Sequence, residues 1–292
     1  MRPEVRTVLH DESSTFSYVV WDPETRHAAV IDPALDFDAA SGYASTDTAQ
    51  QLVDLVEAEG LSVDWILETH AHADHISAAP FVRGRVGNPP VAIGEGIRTV
   101  QERFRRLFNL ERGFLPDGSQ FDHLFGDGER FAVGDLEARA IHTPGHTSDH
   151  VTYVIGDAAF VGDTLFMPDA GTARCDFPGG DAATLYRSVH RLFDELPDDT
   201  RMFILHDYGP NGRDRMNETT VGEQRRNNRH VGAGIAEAEY ATMRTERDRT
   251  LGMPTLIIPS VQVNIRAGQF PPAEDNGTVY LKVPIDAFPK AE

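Results

Sequence analysis

Thr69-His70-Ala71-His72-Ala73-Asp74-His75 constrains this chain more than any other stretch. Three histidines and an aspartate fall within six consecutive positions, directly after the apolar run Trp65-Ile66-Leu67. Neutral imidazoles and a carboxylate packed this densely at the end of an expected strand form a site for a divalent metal. The alternative is a chance cluster, because the chain carries 12 histidines. The rest of the sequence decides between them by supplying, or failing to supply, the missing ligands.

A chain of 292 residues is long enough for a sizeable core. Its formal charge of −19 and pI near 4.9 argue against a nucleic-acid partner, which would need an excess of basic residues. That matters because some metal-dependent nucleases carry similar histidine clusters. Lys282 and Lys290 are the only lysines, so nearly all positive charge is arginine, a skew to which no function is attached. The single cysteine, Cys175, excludes an internal disulfide framework and a cysteine-based zinc finger. The opening Met1-Arg2-Pro3-Glu4-Val5-Arg6 has no apolar stretch behind it, and no run approaches the roughly 20 apolar residues of a membrane span. A cytoplasmic protein without membrane attachment is expected.

Alternation over 15–21, a turn at Asp22-Pro23-Glu24-Thr25 and a return run over 28–32 predict an opening hairpin. Positions 46–59 form an amphipathic helix with Leu52, Leu55 and Val56 on one face, and Gly60 stands where a C-terminal cap belongs. Positions 63–68 form the strand that delivers the histidine cluster to a sheet edge, where α/β proteins place ligand sites. A helix follows over 97–108; the preceding Gly94-Glu95-Gly96 reads as its lead-in rather than a phosphate loop. Positions 109–127 read as a long loop. Strands resume at 129–133, 137–141, 151–155 and 159–161. Asp181 caps a helix to about Leu196, and 202–205 is the last clear apolar strand. One charged helix is expected over about 221–247, followed by Leu256-Ile257-Ile258 and a proline-rich end. No linker composition divides the chain, so 1–292 is read as one domain with a C-terminal extension from about 230.

Three later positions place a ligand-type residue just after a strand: His146 in Thr143-Pro144-Gly145-His146-Thr147, Asp163 in Val161-Gly162-Asp163-Thr164, and His206 in Leu205-His206-Asp207-Tyr208. Each alone reads as a turn or capping residue. In this order after His-x-His-x-Asp-His, they make the sequence resemble the metallo-β-lactamase superfamily. That resemblance covers Phe16 to about Arg229 and implies an α/β (α+β) αββα sandwich, two facing mixed β-sheets flanked by helices. It also implies His70, His72 and His146 at a first metal position, Asp74, His75 and His206 at a second, and Asp163 between them. His10, His27, His123, His190 and His230 stand in terminal, turn or helix-surface contexts. His142 and His150 are assigned to strand packing, with support of the site as the alternative.

Seven ligands permit two metals and a bridging hydroxide, which is hydrolase chemistry. His70, His146 and Asp163 alone form a two-histidine, one-carboxylate set with open positions, the arrangement of non-haem ferrous oxygenases. The flanking residues separate these. Arg174-Cys175-Asp176-Phe177 after the bridging aspartate and His206-Asp207-Tyr208 resemble the persulfide dioxygenase branch, as do Thr15-Phe16-Ser17-Tyr18 and 259–266. Glyoxalase II relatives typically read Arg-Phe-Phe and His-Glu-Tyr there. The resemblance implies one Fe(II) per chain on His70, His146 and Asp163, with O2 and a small thiol persulfide, commonly glutathione persulfide, as substrates. Tyr208 would be catalytic, its hydroxyl directed at the iron-bound ligand, and both Tyr208 and Arg174 would contact substrate. The bland reading of Arg174 is a loop-stabilising pair with Asp176. His72, Asp74, His75 and His206 would orient ligands or complete a second metal position.

The resemblance departs from the branch at Gly171-Thr172-Ala173, in place of Gly-Cys-Gly, and in the length of 109–127 and of the tail. An acidic chain with few lysines also leaves another carrier thiol open. Cys175 reads as a buried structural thiol, although Arg174 beside it would lower its pKa. The alternative function is a glyoxalase II-type hydrolase of thioesters or lactones with two Zn; a non-catalytic sulfur-binding protein is a third. The tail is expected to serve a homodimer contact or to cover the pocket.

Overall fold

The computed structural model describes residues 2–288; positions 1 and 289–292 of the expected single-domain span lie outside the described residues. The chain opens with β1 (Glu4–His10), β2 (Thr15–Trp21) and β3 (His27–Ile31), continues through β4 (Ala34–Asp38) and β5 (Tyr43–Ser45), and enters α1 (Asp47–Ala58). Next come β6 (Ser62–Leu67), β7 (Ile76–Ser77), α2 (Ala79–Arg83), β8 (Val91–Gly94), α3 (Ile97–Leu107) and β9 (His123–Phe125). The second half holds β10 (Arg130–Val133), β11 (Leu136–His142), β12 (Val151–Ile155), β13 (Ala158–Phe160), α4 (Ala182–Glu195), β14 (Arg201–Phe203) and β15 (Glu218–Thr220). It closes with α5 (Val221–Asn227), α6 (Glu237–Arg249) and α7 (Ile257–Asn264).

Two six-stranded sheets result, ordered β1-β2-β3-β6-β8-β9 and β10-β11-β12-β13-β14-β15, with a small sheet β5-β4-β7 beside them. Strand periodicity explains the layering. Along β2, Phe16, Tyr18 and Val20 join the core between the two large sheets, whereas Val19 and Trp21 face the core under α1, α3 and α7. Along β12, Val151, Tyr153 and Ile155 point into the same central core, and Leu185, Val189 and Leu192 of α4 cover the far side of the second sheet. Both faces of both sheets are therefore buried, giving the expected αββα sandwich. Each large core side chain contributes about 1.5–3 kcal/mol by burial.

The sheets meet at one edge, where Phe16 N–H donates to Leu205 O at 2.8 Å and Thr15 bridges His206. The chain leaves β6, β13 and β14 at that edge, and each exit carries an expected ligand: His70, Asp163 and His206. The β11–β12 connection brings His146 to the same place. Gly94 and Gly96 are the helix lead-in: a Cβ on Gly96 would lie 2.5 Å from Ser148 O, so glycine there lets the His146 loop pack directly on the start of α3.

Three local expectations change. The 109–127 stretch is not entirely loop, since β9 adds a parallel edge strand beside β8. The expected helix over 221–247 is two helices. Asn228 accepts from His230 N–H (2.9 Å) and Val231 N–H (3.1 Å), a side-chain turn that outcompetes helical bonding, and Gly232 and Gly234 follow it. The unassigned Leu256-Ile257-Ile258 begins α7, whose Ile257, Val261 and Val263 join the core outside the first sheet. No helix among the described residues is long and apolar enough to cross a membrane.

Candidate metal centre

Every expected ligand side chain reaches the common sheet edge, and each is oriented by a neighbour. Asp32, just after β3, accepts from Thr69 N–H (2.7 Å) and Thr69 Oγ1–H (2.9 Å), which fixes the residue preceding His70. His146 Nδ1 donates to Arg174 O at 2.7 Å, so its Nε2 faces inward. His206 Nδ1 bonds Ser14 O at 3.3 Å, which likewise turns Nε2 to the site. Asp163 N–H donates to His150 Nε2 at 2.9 Å. That bond makes Nε2 an acceptor and places the ring proton on Nδ1, toward Thr143 Oγ1 at 3.1 Å. His150 thus supports the backbone of a ligand and stacks on His70 at 4.7 Å, so it serves the site as well as strand packing.

The ligand atoms converge in two overlapping groups. His70, His146 and Asp163 have donor atoms mutually within 4.8 Å, as do Asp74, Asp163 and His206. Asp163 Oδ2 lies 3.4 Å from His146 Nε2 and 3.8 Å from His70 Nε2, while Oδ1 lies 3.4 Å from His206 Nε2. Asp163 is the residue common to both groups. His72 falls in two further groups, with Asp74 and His75 and with Asp32 and Glu68. Its Nε2 is taken by Asp32 (2.9 Å) and Glu68 (3.1 Å), and Glu68 is held in turn by the Ser77 hydroxyl.

Electrostatics and hydrogen bonding both fit a cation. His70 is pushed well below the usual histidine range by burial and by the surrounding imidazoles, so its lone pair is available at neutral pH. Burial and the neighbouring His72 take His75 down to about 4. His206 moves up despite burial, because Asp74 and Asp163 face it; a positive charge between those carboxylates is favoured. His70 Nε2, His72 Nδ1, His75 Nε2, Asp163 Oδ1 and His206 Nε2 are all buried without a hydrogen-bond partner. Buried polar atoms are normally satisfied, so five orphans on the clustered ligand-type residues are what a metal centre requires.

A cavity of about 500 Å³ opens from this cluster, with Asp74, His146, Asp163 and His206 at its buried end. Phe166, Tyr208, Arg229 and Arg247 line the rest, and Tyr208 is 63% exposed. Arg174 also lines it, but its guanidinium is fully engaged: Nε and one terminal nitrogen grip Asp176 at 2.6 and 2.7 Å, and the other terminal nitrogen donates to Gly252 O at 2.7 Å. The loop-bracing half of the expectation describes its contacts. Burial, aided by Asp248, pushes the Cys175 thiol up to about 12, opposite to a lowering by Arg174. Cys175 is free and buried, as a structural thiol would be.

Sequence reasoning missed Asp32, Glu68 and Asp149, whose Oδ2 accepts from Ala71 N–H at 2.8 Å. Asp32 carried a usable signal, a carboxylate just after an apolar strand, like Asp163. Glu68 and Asp149 carried none.

Comparison with known proteins agrees with this geometry. Residues 10–203 match the family described as the metallo-beta-lactamase superfamily. A probable metallo-hydrolase of Burkholderia pseudomallei is 51% identical, over 94% of this chain and 96% of its own. The mitochondrial persulfide dioxygenase ETHE1 of Mus musculus is 31% identical, over 92% of this chain and 91% of its own. A crystal structure of ETHE1 from Myxococcus xanthus superposes with a TM-score of 0.71 at 30% identity, covering 91% of this chain and 100% of that one.

Proposed function

The chain belongs to the metallo-β-lactamase superfamily, and within it we propose an iron-dependent dioxygenase that oxidises a small thiol persulfide. The observation that carries the reading is the His70–His146–Asp163 group, two imidazoles and one carboxylate, of which His146 and Asp163 line the cavity. A relative named persulfide dioxygenase aligns over nearly the whole chain and supports the same reading. His70, His146 and Asp163 would hold ferrous iron, which would supply the redox chemistry for oxidising a soft sulfur anion with O2. Overall, one persulfide, one O2 and one water give one thiol, one sulfite and two protons, with the S–S bond broken and the outer sulfur oxidised. Glutathione persulfide is the carrier that the resemblance favours.

The residues of the chain do the rest. Asp163 and His146 are held from behind by His150 and by Arg174 O, so neither needs to reorganise. Phe166 and Phe177 line the cavity beside them and keep water from the reacting sulfur. The Tyr208 hydroxyl supplies a donor from the open side. Arg174 braces the 172–177 loop, while Arg229 and Arg247 present positive charge to the carboxylate end of a carrier thiol.

A second reading has its own observation. Asp74, Asp163 and His206 gather as a second cation position, which suits a two-zinc hydrolase of thioesters, and the Burkholderia relative is named a probable metallo-hydrolase. Metal analysis of protein purified without added metal, followed by oxygen uptake with a thiol persulfide, separates the two. About one iron per chain and rapid uptake are expected. Two zincs with thioester cleavage and no uptake would overturn the dioxygenase. In the same assay Tyr208→Phe should keep its iron and lose about a hundredfold in turnover.

A further inference from the structure

The loop from Thr69 to Ser77 carries four of the ligand-type residues, and its backbone groups must be satisfied away from water. Asp32 holds Thr69 N–H and Asp149 holds Ala71 N–H. The far half of the loop is held by one side chain from the other end of the chain. Asn264, the last residue of α7 and 4% exposed, donates from Nδ2 to His72 O and to His75 O, each at 2.8 Å. Its Oδ1 accepts from Ser77 N–H at 2.8 Å. Both N–H bonds and the carbonyl of the amide are spent on this loop, and those partners leave only one amide orientation.

The segment around Asn264 is placed as tightly. A Cβ on Gly268 would lie 2.7 Å from Pro80 Cδ and 2.9 Å from Ser77 O, so the chain after α7 lies directly on the ligand loop. Gln101 Nε2 donates to Ile265 O at 2.9 Å and fixes the neighbouring residue from α3. Arg266 grips Glu111 at 2.7 and 2.9 Å. Asn264, Ile265, Arg266 and Gly268 all lie beyond residue 203, where the family match ends.

We propose that Asn264 is a positioning residue of the metal centre: by holding His72 O, His75 O and Ser77 N–H with one amide, it aims Asp74 at the cation position it shares with Asp163 and His206. Asp74 and His75 lie inside the span that the amide closes. Asp74 Oδ2 lies 3.2 Å from His206 Nε2, a geometry that a small rotation of the backbone would spoil. Metal ligation tolerates errors of only about 0.5 Å. The inference concerns the Asp74–Asp163–His206 position and not the His70–His146–Asp163 group that carries the persulfide reading, and it is tested without substrate.

The test is a Co(II) titration of the apoprotein, read by competition with a chelator and by the visible cobalt spectrum. Asn264→Ala should weaken binding about 10- to 100-fold, the usual cost of removing an outer partner of a metal ligand, and should shift the spectrum. Arg266→Met, which unties the same segment without touching residues 72–77, should bind within about twofold of the parent and keep its spectrum. If Asn264→Ala does not fold, Asn264→Asp, which keeps the acceptor for Ser77 N–H and loses the donors, is read in the same way. Parent-like affinity and spectrum in the folded Asn264 variant overturn the proposal. So does equal weakening by Arg266→Met, which would make tail docking the cause. Failure of both Asn264 variants to fold overturns it as well, since the amide would then determine the fold and not the metal centre.

Discussion

The two ends of the cavity are built by opposite rules. At the buried end, the backbone of the ligand loop is clamped by Asp32, Asp149 and Asn264, and His146 and Asp163 have partners behind them. At the open end, Arg229 and Arg247 are exposed, and neither has a carboxylate partner among the described residues. In a chain of net charge −19, unpaired arginines beside a cavity stand out. Three neighbouring arginines are paired: Arg174 with Asp176, Arg213 with Asp169, and Arg244 with Asp248. Under the proposed function, this difference would separate the labour: fixed geometry where bonds change, adaptable charge where a substrate is recognised.

The rigid end breaks most completely at Asp163, the one carboxylate common to both ligand groups. Asp163→Ala should lower metal affinity by more than about a hundredfold, beyond the usual cost of removing an outer partner. Because Asp163 lies on a short turn stabilised by Thr164 N–H to Val161 O (3.0 Å), the fold should survive, as circular dichroism would check. Full metal content in this variant would show that the ligands have been misassigned.

His230 sharpens the comparison, because it is a rigid element beneath the adaptable rim. It is buried, and its Nδ1 accepts from Thr172 N–H at 3.1 Å. Burial, together with Arg244, Arg247 and Arg229, pushes it down to about 4. Unfolded, the ring takes its proton near 6.5. Between those values the unfolded chain binds more protons, so stability falls as the pH drops below about 6.5 and levels off below about 4. The contribution lost by pH 4.5 is roughly 2 kcal/mol. Denaturant unfolding at pH 7 and pH 4.5 should show His230→Gln losing less stability than the parent by about that amount. The paired comparison cancels the titration of the other histidines, and equal losses in both proteins would sink the assignment.

What the sequence disclosed follows the same division. The ligands were readable because strand ends deliver them: His70, His146, Asp163 and His206 each follow an apolar run, and the sandwich brings those ends to one edge. Asp32, Asp149 and Asn264 act on backbone atoms of the loop, so no side-chain spacing betrays them. Asn264 meets His75 only because α7 packs on the first sheet, a contact across 189 positions. The break between α5 and α6 turns on one local side-chain turn at Asn228, which spacing does not show, although Gly232 and Gly234 after it were a readable signal. Arg174 shows the limit of transferring roles: its position was legible, but its hydrogen bonds to the carbonyls at 251 and 252 come from the tail.

The open end should yield the smallest effects. Arg229→Ala and Arg247→Ala each remove one exposed charge, worth about 0.5–1 kcal/mol against a carboxylate in water. That corresponds to a rise in KM of roughly two- to fivefold for an anionic substrate, with kcat unchanged because neither guanidinium reaches the buried ligands. The double variant should multiply the two factors, since exposed charges without a shared partner act independently. Salt should erase the difference, because at about 0.5 M the screening length falls to a few ångströms. A fall in kcat instead would mean that the rim helps to hold the reacting geometry. The separation between a fixed buried end and an adaptable open end would then fail.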